Sequence, residues 1–212
     1  MADFRVLHIP CGVIGTNTYV VYHEDGGEAV VIDPAESTAV LASLEHHQLK
    51  CVCVLLTHGH FDHVMGVEAL RARYECPVVI GAGDEPLITD PEQGMARQLM
   101  GFELPPILAD RTVDDGDTVE AAGVTFRVLA CPGHTKGGVS YLAQDLLFCG
   151  DTLFQGSIGR TDFPGGSFEE IAQSIRRLYE LPDDTKVLPG HGDMTTIGYE
   201  AQNNPYVRRE EA

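Results

Sequence analysis

Short apolar runs separated by turn residues dominate the first third of the chain. They are rich in valine and bounded by Gly, Asp or Pro, a pattern typical of buried strands. This pattern predicts strands at residues 18–23, 28–34, 51–58 and 77–81. Similar runs later in the chain predict pairs of strands within residues 119–132 and 138–151, and a single strand within 185–192.

Segments with helical spacing of apolar residues lie between the predicted strands. Residues 37–50 form one such segment, with Ser37 or Thr38 as the expected N-cap. A second helix is predicted across residues 63–75. A third, within residues 168–181, is clearly amphipathic. Its apolar stripe consists of Phe168, Ile171, Ile175 and Leu178. Strands and helices in both halves predict an α/β fold in which two sheets pack face to face with helices outside.

Residues 82–118 interrupt this regular order. The stretch has scattered prolines and glycines and one short helical pattern near residues 92–100. Long connections of this kind often bind ligands. Two interpretations stay open, namely a segment that lies over a functional site and an ornate surface loop.

Composition and charge narrow the class of protein. The chain has 212 residues, and 14 Lys and Arg against 32 Asp and Glu give a net charge of −18. Such a charge repels polyanions, so we expect no nucleic-acid partner. No stretch has the apolar length of a membrane span, and the first residues lack the pattern of a secretory signal. We therefore expect a cytoplasmic protein with no membrane partner, whose six cysteines are reduced and mostly buried.

Histidines follow strand ends at three places in the sequence. Five of the nine histidines lie in glycine-flanked turns, in LLTHGHFDH, LACPGH and KVLPGH, and an aspartate has the same context in LLFCGD. A catalytic metal needs imidazoles and carboxylates that converge from several strand ends. In an extended segment His58 and His60 point the same way, whereas Asp62 and His63 come from the turn into the next helix. The spacing predicts two neighbouring metal ions that activate a water between them, with Asp151 suited to bridge.

The ordered set T-H-G-H-F-D-H, C-P-G-H-T-K-G-G, C-G-D-T-L-F and L-P-G-H-G resembles the metallo-β-lactamase superfamily over essentially the whole chain. The resemblance implies one domain, residues 1–212, with the four-layer αββα sandwich of that family. The first metal would be held by His58, His60 and His134. The second would be held by Asp62, His63 and His191, with Asp151 shared between them. Asp33 matches an aspartate that braces the histidine loop in that family, although capping the turn before Pro34 is an alternative role.

Two longer motifs, CPGHTKGGVSYL and GDTLFQGSIGRTDFPGG, are most similar to the glyoxalase II group, especially its short bacterial members. This similarity implies hydrolysis of S-lactoylglutathione or a similar hydroxyacyl thioester by a metal-bridging hydroxide that Asp62 orients. The implied cofactors are two divalent ions, zinc first, with iron and manganese as alternatives. GRTDFPGG is also similar to persulfide dioxygenases, which hold a single iron. Hydrolysis of another acyl or lactone substrate is a further alternative.

Three residues are candidates for contacts with the substrate. Full-length glyoxalase II has a helical region after the final histidine that supplies cations for glutathione, whereas only residues 192–212 follow His191 here. Lys136 and Arg160 are therefore the cations expected to contact an anionic substrate, and each has an alternative as an ordinary surface cation. Tyr141 lies in a strand pattern, where it is either a core residue or a substrate contact.

Overall fold

The computed structural model describes residues 4–90 and 92–209, and its first sheet has six strands. These are Arg5–Cys11 (β1), Thr16–Tyr22 (β2), Glu28–Ile32 (β3), Lys50–Leu56 (β4), Val78–Gly81 (β5) and Arg111–Val113 (β6). Their order in the sheet follows the chain from β1 to β6. The pairs β1–β2 and β2–β3 are antiparallel, and the three pairs from β3 to β6 are parallel. The carboxyl ends of β3, β4 and β5 therefore meet at one edge.

The second sheet also has six strands and is mostly antiparallel. It contains Thr118–Ala121 (β7), Val124–Ala130 (β8), Val139–Ala143 (β9), Leu146–Gly150 (β10), Lys186–Pro189 (β13) and Thr195–Thr196 (β14). Their order is β14-β13-β10-β9-β8-β7, and only β10 and β13 are parallel neighbours. A separate hairpin consists of Leu153–Phe154 (β11) and Ser157–Ile158 (β12).

Seven α-helices accompany the sheets within the described residues. They are Ser37–His46 (α1), Phe61–Val64 (α2), Val67–Tyr74 (α3), Glu85–Thr89 (α4), Ala96–Met100 (α5), Phe168–Leu178 (α6) and Ile197–Asn203 (α7). A short 3-10 helix at Ala82–Asp84 precedes α4. In the part of the chain that the structure describes, no helix has the length and apolar character needed to cross a bilayer.

Three apolar clusters hold the layers together. The central cluster lies between the two sheets, where Tyr19 and Leu55 of the first sheet pack with Phe126 and Phe148 of the second. A second cluster buries α1 and α3 on the outer face of the first sheet. A third buries α6 and α7 on the outer face of the second sheet. Each Å² of apolar surface that is buried stabilises the fold by roughly 25 cal/mol, which favours this layering. The predicted four-layer αββα sandwich is confirmed.

Several predicted elements differ from the observed ones. The side chain that caps α1 belongs to Glu36, not to Ser37 or Thr38, because its carboxylate accepts hydrogen bonds from the first free backbone N–H groups of the helix. The predicted helix across 63–75 is broken into α2 and α3, since the Gly66 N–H leaves the helical pattern and donates to the Pro34 carbonyl at 2.8 Å.

Two strands of the first sheet were not predicted at all. Strand β1 carries no fully buried side chain, and β6 has only three residues, so neither shows a readable period. Residues 82–118 thus hold α4, α5 and the sixth strand of the sheet. On the α6 stripe Phe168 is 53% exposed because it starts the helix, while its three partners are buried.

The six cysteines are free thiols, as expected. Five are buried and Cys11 is partly exposed. The Sγ atoms of Cys51 and Cys76 approach within 3.7 Å without a bond between them, and burial raises the pKa of Cys149 and Cys131 above that of a free thiol.

Candidate metal centre

The histidine loop begins where the buried strand β4 ends. Gly59 separates His58 from His60 and permits close packing here, since a Cβ atom at Gly59 would lie 2.5 Å from the Leu87 Cβ. Helix α2 starts immediately afterwards and carries Asp62 and His63, both buried. Four polar side chains therefore project from one tight strand-to-helix turn.

His58, His60 and His134 form the first group that can hold a metal ion. Their nearest ligand nitrogens all lie within 4.8 Å of one another. The Nδ1 atom of His60 is 2.9 Å from Nε2 of His134. The other ring nitrogen of His134 donates to the Arg160 carbonyl at 2.7 Å, which directs its Nε2 into the group.

Asp62, His63 and His191 form the second group, again within 4.8 Å. The Oδ2 atom of Asp62 lies 3.3 Å from Nε2 of His63 and 3.3 Å from Nε2 of His191. His191 arrives from the turn after β13. The preceding Gly190 permits this approach, because a Cβ atom there would lie 2.2 Å from Asp151 Oδ1.

Asp151 lies between the two groups. Its Oδ1 is 3.4 Å from Nε2 of His63, and its Oδ2 is 3.6 Å from Nε2 of both His134 and His191. One carboxylate thus faces ligands of both groups. The seven residues that the sequence proposed as ligands are brought together in the two predicted trios with Asp151 shared.

The residues fit a pair of metal ions. Four buried side-chain polar atoms among the described residues have no hydrogen-bond partner, one of which is the Thr135 hydroxyl. The other three belong to the cluster, namely His58 Nε2, His63 Nε2 and Asp151 Oδ1. Each is a metal-ligating atom, and leaving such an atom buried and unpaired costs about 1–3 kcal/mol. Two bound cations, one at each trio, would satisfy all of them. Mixed imidazole and carboxylate donors suit zinc, iron and manganese, so the cluster is able to bind metal without selecting one.

The protonation states of the ligands also suit metal binding. Burial, with the neighbouring histidines, lowers the pKa of His58, and burial lowers the pKa of His60 to about 3. Both imidazoles are therefore neutral, as metal ligation requires. Burial opposes ionisation of Asp151, yet His63 and the other histidines hold its pKa at about 2.

The pKa values of His63 and His191 shift in the opposite direction. Burial tends to lower their pKa, but Asp62 and Asp151 outweigh it and raise the pKa of both imidazoles above 6.5. The acidic side chains thus favour the protonated form of these rings at the positions where a cation would bind. Charge balance at this buried cluster calls for positive charge, whether carried by protons or by metal ions.

Asp33 supports the cluster from beneath. Its carboxylate accepts hydrogen bonds from the Thr57 backbone N–H at 2.7 Å and the Thr57 hydroxyl at 2.6 Å, and its Oδ2 lies 2.9 Å from His63 Nδ1. These contacts set the direction of the His63 ring and anchor the start of the histidine loop. Asp33 could itself complete a group with His58 and His63, but its hydrogen bonds to Thr57 and His63 already occupy it.

Two residues that support the metal ligands were not predicted from the sequence. Thr16 donates its hydroxyl to Asp62 Oδ2 at 2.8 Å. Asp84, fully buried, accepts from the backbone N–H groups of Gly59 at 3.2 Å and Gly137 at 2.7 Å. It therefore joins the histidine loop to the loop that carries His134. Its position at the carboxyl end of the predicted strand 77–81 was the only signal available.

An apolar cleft of about 400 Å³ opens onto the metal ligands. Met95 and Leu99, from the long connection between β5 and β6, line it, so that connection does lie over the site. Arg160 lies at this cleft, whereas Lys136 lines a separate cavity of about 360 Å³. The predicted substrate contact of Tyr141 is wrong. The side chain is fully buried between the sheets, and its hydroxyl donates to the Leu56 carbonyl at 3.0 Å.

The remaining histidines lie elsewhere. His8, His23, His46 and His47 belong to none of the metal-ligating groups found among the described residues. His8 stacks on Tyr19 and contacts the Asn17 side chain, which in turn donates to the carbonyls of Pro189 and Gly192 on either side of the His191 turn. It packs against a support of the site without entering it.

The chain is similar to known proteins in sequence and in structure. The sequence model of the Metallo-beta-lactamase superfamily matches residues 11–191. A hydroxyacylglutathione hydrolase, GloC of Haemophilus influenzae, is 34% identical, and the alignment covers 94% of this chain and 95% of that protein.

Two solved structures are similar along nearly the whole chain. The BLEG-1 B3 metallo-beta-lactamase is 39% identical with a TM-score of 0.90, covering 96% of this chain and 99% of that one. TTHA1623, crystallised in a di-iron-bound form, is 36% identical with a TM-score of 0.84, covering 95% of this chain and 100% of that one.

Proposed function

Because this chain belongs to the metallo-β-lactamase superfamily, we propose that it is a metal-dependent hydrolase of S-lactoylglutathione or a similar hydroxyacyl thioester. The observation that carries the proposal is the position of Asp151 between two ligand trios at the base of an open cleft. A structural zinc site would be closed by its ligands. Support for the thioester comes from the 34% identity to a hydroxyacylglutathione hydrolase.

The proposed chemistry divides between the metals and the protein. When bound by the two trios, divalent ions, for which we propose zinc, supply an activated water and polarise the substrate carbonyl. Asp62 is held by the Thr16 hydroxyl, and its pKa lies well below the usual range because the charges of His63 and hydrogen bonds from His191 outweigh its burial. We propose that this ionised carboxylate accepts a hydrogen bond from the attacking water and orients it.

No general acid is needed for the leaving group in this proposal. A thiol has a pKa near 8.5, so a thiolate departs readily at neutral pH. The buried histidines His58 and His60 are neutral and are used as ligands. The reaction class thus fits a site that offers metal ligands and an apolar cleft.

The first experiment measures hydrolysis of S-lactoylglutathione by the loss of thioester absorbance. We expect turnover by the wild-type protein and its loss in His134→Ala, which removes a ligand facing both His60 and Asp151. His46→Ala is the matched control, because His46 is exposed at the end of α1. Full activity in His134→Ala would overturn the ligand assignment.

The second experiment determines the metal content of protein purified without added metal. We expect two ions per chain. One iron per chain, together with oxygen uptake on glutathione persulfide, would instead support a dioxygenase.

A second candidate is hydrolysis of a β-lactam or lactone. It is favoured by the 39% identity and the TM-score of 0.90 to a B3 metallo-beta-lactamase, and it would use the same ligands to attack a different acyl group. A chromogenic cephalosporin tests it directly. A kcat/KM above that for S-lactoylglutathione would replace the thioester proposal.

A further inference from the structure

The cleft over the metal ligands is lined mainly by apolar side chains. Apart from the ligands themselves, all of its lining residues except Ser157 and Arg160 are apolar. The apolar wall includes Ile14, Phe61, Leu99, Phe154, Ile158 and Phe163. Walls of this kind bind apolar groups through the area they remove from water.

Two of these residues stand at the mouth of the cleft in contact with solvent. Ile14 is 54% exposed and Leu99 is 48% exposed. They come from the loop after β1 and from α5, so they face the cleft from separate parts of the fold. An exposed apolar rim that is continuous with an apolar cavity marks a surface that a ligand covers.

The arginine at the cleft is already paired with a carboxylate. Arg160 is the only Lys or Arg that lines the cleft within residues 4–90 and 92–209. Its Nε and Nη2 atoms donate to Asp162 at 2.8 and 2.7 Å, a bidentate pair. The guanidinium carbon lies 3.6 Å from the centre of the Phe163 ring. Arg160 thus covers an aromatic wall, and Asp162 occupies two of the donor groups of its guanidinium.

The charge on the rest of the molecule does not favour binding of an anionic substrate. The net charge of the chain is −18. Lys136, which forms no ion pair among the described residues, lines a different cavity together with Glu92 and Gln93. A glutathione conjugate carries two carboxylates and a single ammonium group, so the field of the protein opposes its entry.

Within the proposed thioester hydrolysis, on which this inference rests, we propose that the preferred substrate is an uncharged thioester bearing an apolar acyl or thiol group. Glutathione thioesters then bind more weakly, because the described residues of the cleft offer their carboxylates no lysine or arginine that is free of a carboxylate partner. The apolar group lies against Leu99, Phe154 and Phe163, and the thioester carbonyl reaches the metal ligands.

A matched pair of stable thioethers tests this preference without any turnover. S-hexylglutathione and S-hexyl-N-acetylcysteamine share the hexyl group and differ in the charged carrier. Calorimetry on the metal-loaded protein should give a dissociation constant about tenfold lower for the uncharged compound, as expected for a repulsive field. Equal binding, or tighter binding of the glutathione compound, would overturn the proposal.

Two variants test which residues determine this preference. Asp162→Asn frees Arg160, so the ratio of the two dissociation constants should fall towards one. The control Glu28→Gln removes the same charge at an exposed site away from the cleft and should leave the ratio as in the wild type. Leu99→Ser should weaken both thioethers by a similar factor. An unchanged ratio in Asp162→Asn, or unchanged affinities in Leu99→Ser, would contradict the assigned roles.

Hydrolysis is measured separately with S-lactoylglutathione and S-lactoyl-N-acetylcysteamine. A higher kcat/KM for the uncharged thioester supports the inference, and a higher value for the glutathione thioester overturns it. Failure to hydrolyse either compound would overturn the proposed function, while the thioether ratio would still decide what the cleft prefers.

Discussion

The Oδ2 atom of Asp33 lies 2.9 Å from Nδ1 of His63, beneath the metal ligands. The contact leaves Nε2 of His63 directed at Asp62 and Asp151. Asp33 also accepts two hydrogen bonds from Thr57, the residue before His58. One buried carboxylate therefore orients ligands that belong to two different trios.

Asp33→Asn should weaken metal binding by about 10–100-fold, the usual effect of removing a supporting hydrogen bond to a metal-ligating histidine. Asparagine is chosen because residue 33 has a positive φ of 50°, which asparagine tolerates. Competition with a chelator of known affinity measures the change. Asp25→Asn, at an exposed turn, is the control. Wild-type affinity in Asp33→Asn would show that His63 needs no such support.

Asp84→Asn should destabilise the protein and lower activity together. The amide has one acceptor oxygen in place of two, so the N–H of Gly59 or Gly137 loses its partner. A buried N–H without a partner costs about 1–3 kcal/mol in the free energy of unfolding. Urea unfolding measures this cost, with the exposed Asp184→Asn as control. A variant as stable as the control would refute the role of Asp84 in joining the two loops.

Metal binding should weaken as the pH falls, because protons compete with metal ions for the same imidazoles. His63 and His191 have a pKa raised above 6.5 by Asp62 and Asp151, so they hold protons that a metal ion must displace. Lowering the pH adds these competing protons, and raising it removes them. Metal titration in a weakly buffered solution at pH 7 should therefore release protons. Uptake of metal without proton release would contradict these raised pKa values.

Tyr141→Phe should leave KM for the substrate unchanged and cost about 0.5–1.5 kcal/mol in the free energy of unfolding, the value of a typical hydrogen bond. The phenol is buried between the sheets and donates to the Leu56 carbonyl. Steady-state kinetics and urea unfolding separate the two effects. A raised KM with unchanged stability would support a contact between Tyr141 and the substrate.

The regular elements of the two sheets were largely predictable, because their apolar periods are long enough to read. Strands β2, β3 and β4 and helix α6 follow this rule. Elements with few buried residues were missed, as β6 shows with three residues. The N-cap of α1 was misassigned because Glu36 competes with Ser37 and Thr38 for the same N–H groups, and only the backbone path decides between them.

Within the site, the sequence by itself determined the histidine loop, since residues 58–63 are close in the chain and their spacing directs the side chains. The strand-end pattern also pointed to His134, Asp151 and His191, but assigning the two histidines to particular trios depended on a family resemblance. The structure places all three residues beside the loop. Only the tertiary structure decided that Asp84 joins two loops, that Tyr141 is buried and that Asp162 pairs with Arg160. Contacts between distant segments arise from how the sheets pack, and so does the choice of which loop side chain points inward. The local spacing of apolar residues in the sequence contains no information about either.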